Sequence, residues 1–129
     1  MRFLILGAAL LLTACGGGSA GPGVQTIGFG TGGSGCTLTG AASSFPLGAT
    51  IRDVVTFTPP LAVGTTITTS IHQGGTELVD RRETLKVEEP AGCMQGVLSP
   101  LDVGHYRVTV EIAPSSVPPI SGEFDVTPS

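Results

Sequence analysis

The chain has 129 residues, enough for one domain with a modest core, and a formal charge of −4. It holds five Phe, one Tyr and no Trp, and only 12% of its residues are charged, so the composition suits short strands and turns better than helices. Nucleic acid is excluded as a partner, because Lys86 is the sole lysine and Arg81-Arg82 runs straight into Glu83, leaving no stretch with the cations that phosphate or anionic lipid needs.

At the amino terminus, Met1-Arg2 supplies a minimal positive start and residues 3–12 form an apolar run broken only by small residues. A run this short does not span a bilayer, which takes about 20 residues, but it fits the apolar region of an export signal. Leu12-Thr13-Ala14-Cys15 then resembles the lipobox of bacterial membrane lipoproteins: an aliphatic residue, two small ones and a cysteine. The resemblance implies cleavage between Ala14 and Cys15, diacylglycerol on the Cys15 thiol and a further acyl chain, such as palmitate, on the new amino group. One acyl chain binds a membrane only marginally, so two or three make a lasting anchor. The implied location is the cell envelope outside the cytoplasm, and Gly16 after the cysteine favours the outer membrane where two membranes are present. The alternative is an ordinary secretory signal in which Cys15 is incidental.

Residues 16–35 hold ten of the twenty glycines and no charge, and so read as a flexible linker. Gly28, Gly30 and Gly33 match G-x-G-x-x-G, but with no helical periodicity after them the match is compositional. Beyond Gly35, apolar alternation at period two recurs between turn signals. Strands are predicted at 37–39; at 51–58, with Asp53, Val55 and Phe57 on one face and Pro59-Pro60 as the stop; and at 65–72, with Ile67, Thr69 and Ile71 opposite Thr66, Thr68, Ser70 and His72. Gly74-Gly75 turns the chain into 77–79, and further strands are predicted at 84–87 and 93–98. The clearest is 106–112, in which Tyr106, Val108, Val110 and Ile112 alternate with Arg107, Thr109 and Glu111; a Pro-rich loop, 113–119, then leads to a last strand at 121–126.

Leu98 followed by Asp102-Val103-Gly104-His105-Tyr106-Arg107-Val108 resembles the corner of immunoglobulin-like and fibronectin-III-like bacterial sandwiches, D-x-G-x-Y, with Val108 where antibody-type domains have a cysteine. The resemblance implies a turn at Gly104 and a Tyr106 whose ring joins the core while its hydroxyl satisfies backbone upstream. The expected fold is therefore all-β: a single Ig-like antiparallel β-sandwich over 36–129, after a signal peptide (1–14) and a lipidated Cys15 with its linker (15–35). With Cys15 acylated, Cys36 and Cys93 form the one possible intramolecular pair, and an oxidising compartment would let them close.

Catalytic and metal signatures are sparse. Neither C-x-x-C nor G-x-S-x-G occurs, and Ser70, Ser99 and Ser121 have no motif partners. Glu88-Glu89 would point to opposite sides of an extended segment, and residues 80–83 read as a solvated charge cluster. The two histidines, His72 and His105, would meet at one end of a sheet if the 65–72 and 105–112 strands are neighbours, a weak candidate for Zn²⁺ or Cu²⁺ against which Arg107 stands on the same face. The sequence therefore reads as a non-enzymatic module with no cofactor, anchored through lipid, for envelope structure or for binding an envelope protein or extracellular ligand. The rival readings are a small-ligand or metal-handling lipoprotein, and an enzyme.

Overall fold

The computed structural model describes residues 24–114 and 118–129. The expected signal peptide, the cleavage site at Ala14, Cys15 and residues 16–23 lie outside the described residues, as do residues 115–117 of the Pro-rich loop. Among the described residues the regular structure is strand throughout, apart from one 3-10 turn at Val79–Arg81.

Eleven strands are present among the described residues. Three form one antiparallel sheet in the order β1 (Val24–Gly30), β5 (Arg52–Leu61), β9 (Ala91–Val97). The second sheet runs β4 (Ser44–Pro46), β11 (Ile120–Thr127), β10 (Gly104–Ala113), β6 (Thr66–Gln73), with β7 (Thr76–Glu77) and β8 (Glu83–Lys86) both pairing with β6. A separate hairpin joins β2 (Gly32–Ser34) to β3 (Thr37–Thr39). Among the described residues all pairings are antiparallel except the short β11–β4 ladder.

The two large sheets face each other as a sandwich. At one end Phe29, Phe45, Ile51, Tyr106, Phe124 and Val126 pack together; at the other, Val55, Phe57, Leu61, Ile67, Val110 and Ile112 do. Alternation produces this directly, because in β10 Tyr106, Val108, Val110 and Ile112 are buried while Arg107 and Glu111 are exposed. In β6, Ile67 and Ile71 take the inner face as expected.

Three expectations are corrected. The segment 24–34 is not linker: β1 pairs with β5 from Val24↔Phe57 to Gly30↔Arg52, so the fold includes strands ahead of the expected start at 36. Glycine here reports close approach. Ile27 and Phe29 turn into the sandwich, while a Cβ at Gly28 would lie 3.3 Å from Leu38 and one at Gly30 2.5 Å from the Thr39 carbonyl oxygen. The β2–β3 hairpin thus lies over the outer face of β1 and β5, where larger residues would hold it off.

The second correction is at Pro59-Pro60, which does not end β5; the strand continues to Leu61. The β5–β9 ladder is interrupted between Thr56 and Leu61, so the prolines sit where no backbone donor is required. The third is Gly104, which makes no left-handed turn: its φ is not positive, and it opens β10 opposite Val126. Its small size matters because a Cβ there would come within 2.8 Å of the Gln73 amide.

Candidate functional site

The direction of each strand gives the sandwich two distinct ends. β1, β6, β9 and β11 all run toward the end where β5 and β10 begin. That end, called here the corner end, gathers the loops 46–51, 78–81 and 98–103, whereas Val24 enters at the opposite end, across from Phe57.

At the corner, the Tyr106 hydroxyl donates to the Asp102 carbonyl at 2.7 Å, and the ring, 1% exposed, stacks on Phe124 at 5.4 Å. Burial holds the Tyr106 phenol above its ordinary pKa, so it stays a donor. Tyr106→Phe is expected to cost about 1 kcal/mol, since the ring remains but the Asp102 carbonyl loses its donor. A urea midpoint unchanged by the substitution would contradict this.

Arg81 is a second fastener that the sequence did not single out. Its guanidinium donates to the carbonyls of Leu98 at 2.7 Å and Pro100 at 2.6 Å, so it pins the corner loop and is not part of a solvated cluster. Arg82 does behave as a surface charge, paired in a fork with Glu77 at 2.7 and 2.9 Å. That pairing lowers the Glu77 pKa and raises that of Arg82.

Two clefts lie on either side of Arg81. The larger, about 560 Å³, has Ile51, Leu101, Tyr106 and Val126 in its floor and Asp80 and Asp102 among its polar residues. The smaller, about 220 Å³, lies between the sheets, with Gly96 and Val97 of β9 on one side and Thr69 and Ile71 of β6 and Glu83 of β8 on the other. Asp53 lines it from β5 and is 4% exposed, the one buried acid among the described residues.

Burial raises the Asp53 pKa, and Glu83 adds to the rise; its own backbone N–H and Arg52 oppose it. The native state therefore keeps the Asp53 proton to a higher pH than the unfolded chain does. Stability from this group falls as pH climbs from the ordinary carboxylate range through the raised native value. Asp53→Asn is expected to remove that slope and to raise stability at neutral pH by about 1 kcal/mol, as the cost of burying an uncompensated charge disappears. Denaturation midpoints measured between pH 3 and 8 check both signs.

The remaining sequence candidates are the cysteines and the histidines. Cys36, at the β2–β3 turn, and Cys93, on β9, are joined in a disulfide with Cα atoms 6.1 Å apart. His72 and His105 stand, as expected, on one face at the same end of the sheet, two register positions apart. His72 stands opposite Arg107, whereas His105 lies beyond it on β10, its ring bonded to Asp125 through Nδ1 and to Glu123 through Nε2, each at 2.7 Å.

These bonds, Asp125 first, raise the His105 pKa, and the reciprocal bond lowers that of Glu123. Among the described residues no three His, Cys, Asp or Glu side chains are grouped to hold a metal ion. Arg107 pairs with Glu123 at 3.3 Å and Thr109 with Ser121 at 3.0 Å, so the outward face of β10 is largely engaged with β11. No protein-family model and no curated protein matches the chain.

Proposed function

We propose that the chain is a lipid-anchored envelope lipoprotein whose Ig-like sandwich is a non-catalytic binding module, held to the membrane through Cys15 and presenting its corner end outward to an envelope or extracellular partner. The observation that carries this reading is the polarity of the sandwich: the chain enters at Val24, at the end opposite the loops 46–51 and 98–103. Tethered from that end, the two clefts beside Arg81 turn away from the lipid.

The lipobox residues Leu12-Thr13-Ala14-Cys15 supply the anchor, and with β1 beginning at Val24 the tether is shorter than composition implied. From Cys15 to Val24 it reaches roughly 30 Å at full extension, enough for the domain to clear the headgroups. The Ig-like assignment is supported by two facing, mainly antiparallel sheets and by the Tyr106–Asp102 corner bond. The larger cleft favours one rival, a small-ligand lipoprotein, because apolar residues such as Ile51, Leu101 and Val126 stand in its lining beside Gln73, Asp80, Arg81 and Asp102.

Membrane fractionation of the intact chain and its Cys15→Ser variant tests the anchor. The parent is expected in the membrane fraction and the variant in the soluble exported fraction. Co-fractionation of both with membrane would remove the lipid anchor from the account.

A further inference from the structure

Asp53 has no structural task among the described residues. It occupies a core-facing position between Ile51 and Val55, yet among the described residues no neighbouring side chain is bonded to it; its charge is favoured by its own backbone N–H and, through space, by Arg52. The two arginines that line the cleft are engaged elsewhere, Arg81 on the carbonyls of Leu98 and Pro100 and Arg82 on Glu77, and Arg52, next to Asp53 in the chain, bonds to Gln95. The unspent charges around the cleft are the carboxylates of Asp53, Asp80 and Glu83. A ligand group suited to it therefore carries positive charge and hydrogen-bond donors.

Access to Asp53 is set by β9. Gly96 pairs directly with Asp53, and a Cβ at Gly96 would lie 3.0 Å from Asp53 Oδ1, so the absence of a side chain leaves the carboxylate open toward the β9 edge. β9 is the last strand of its sheet and pairs only with β5 among the described residues. Its outer backbone groups offer a ladder to an incoming strand. A strand added there would sit two strand spacings from β5, about 9–10 Å, with the residue opposite Gly96 pointing between the sheets. Asp53 Oδ1 already lies 3.0 Å from where a Gly96 Cβ would be, so a lysine on the added strand has about one strand spacing left to bridge, which its four-carbon stem covers while staying narrow enough to pass over a glycine.

We propose that the free edge of β9 accepts an extended segment of a protein partner, and that a lysine of this segment, opposite Gly96, sets its ammonium against the Asp53 carboxylate. This deepens the reading of the domain as a binding module. The backbone ladder supplies affinity and the Lys–Asp53 pair supplies selectivity. The energetic cost of keeping Asp53 charged and buried in the free protein is offset when the ammonium arrives.

The test uses the intact ¹⁵N-labelled chain and two capped pentapeptides, Thr-Val-Lys-Val-Thr and the same sequence with norleucine in place of lysine, followed by amide chemical shifts. The lysine peptide is expected to move the amides of 91–97 saturably and to bind at least about 10-fold more tightly than the norleucine peptide. Asp53→Asn erases that preference, and Gly96→Val, which covers the carboxylate, does the same by a different route. Equal affinities for the two peptides, or shifts that avoid β9, overturn the proposal. Retention of an envelope partner by a chain whose β9 stays silent overturns it too, while leaving the module reading intact.

Discussion

Replacing Cys36 and Cys93 together by serine is expected to lower stability by about 4 kcal/mol, the chain-entropy value for the loop closed by residues 57 apart in sequence. The bond does more than close a loop. It ties the turn of the β2–β3 hairpin to β9, across the outer face of the sheet in which β1 and β5 lie. Leu38 sits over Gly28 and Gly30, and Val54, although on the outward-alternating side of β5, is only 6% exposed. Releasing the hairpin therefore uncovers apolar surface as well as lengthening the free chain. At about 1–3 kcal/mol per molar urea, the midpoint should fall by 1 M or more. A midpoint that stays within 0.2 M after the double substitution would mean that the hairpin is held by packing alone.

Phe124→Ala should cost about 4 kcal/mol, because it removes the centre of the aromatic cluster. The Phe124 ring lies 4.8 Å from Phe29, 5.9 Å from Phe45 and 5.4 Å from Tyr106, so it joins β1, β4, β10 and β11 in one contact group. With six aromatic residues in the whole chain, no other side chain is placed to fill the cavity. Val97→Ala makes the control: Val97 is 60% exposed and its truncation should change stability by less than about 0.5 kcal/mol. Thermal unfolding followed by circular dichroism separates the two. A Phe124→Ala midpoint equal to that of Val97→Ala would contradict the assignment of this end of the sandwich as core.

The strands with unbroken alternation were legible in sequence. Tyr106 to Ile112 and Thr66 to Gln73 carry apolar residues every second position, and one side of each is buried. Their pairing was legible as well, since the proposed neighbours do form a ladder, Arg107↔His72 included. Composition misled at Val24–Gly30, because glycine that makes room for a neighbouring segment looks in sequence like glycine that loosens a chain. Only the Leu38 and Thr39 contacts tell them apart. β4 escaped notice because three residues in a parallel ladder carry no alternation to read.

The candidate site was less visible, for reasons of distance along the chain. Arg81 finds its carbonyl partners 17 and 19 residues away, and no local pattern announces them. Asp53 did leave a trace. It alternates with Val55 and Phe57, so an acid was already expected on an otherwise apolar face; what the sequence could not supply was Gly96 across the ladder. The His72–His105 neighbourhood was legible, but not the partners that each histidine finds. Strand order placed both histidines at one end of the sheet with Arg107 on the same face, as the register has it, whereas the bonds of His105 to Asp125 and Glu123 come from β11, 20 and 18 residues away.

The central claim is that Cys15 is a lipid anchor while Cys36 and Cys93 close on each other. Intact mass spectrometry of the chain isolated from the producing cell's envelope, with thiols alkylated but not reduced, tests both parts at once. The expected species is a chain beginning at Cys15, heavier by a diacylglycerol and a further acyl group, with no alkyl label on Cys36 or Cys93. An unacylated Cys15, or label on Cys36 and Cys93 in the native protein, would contradict it.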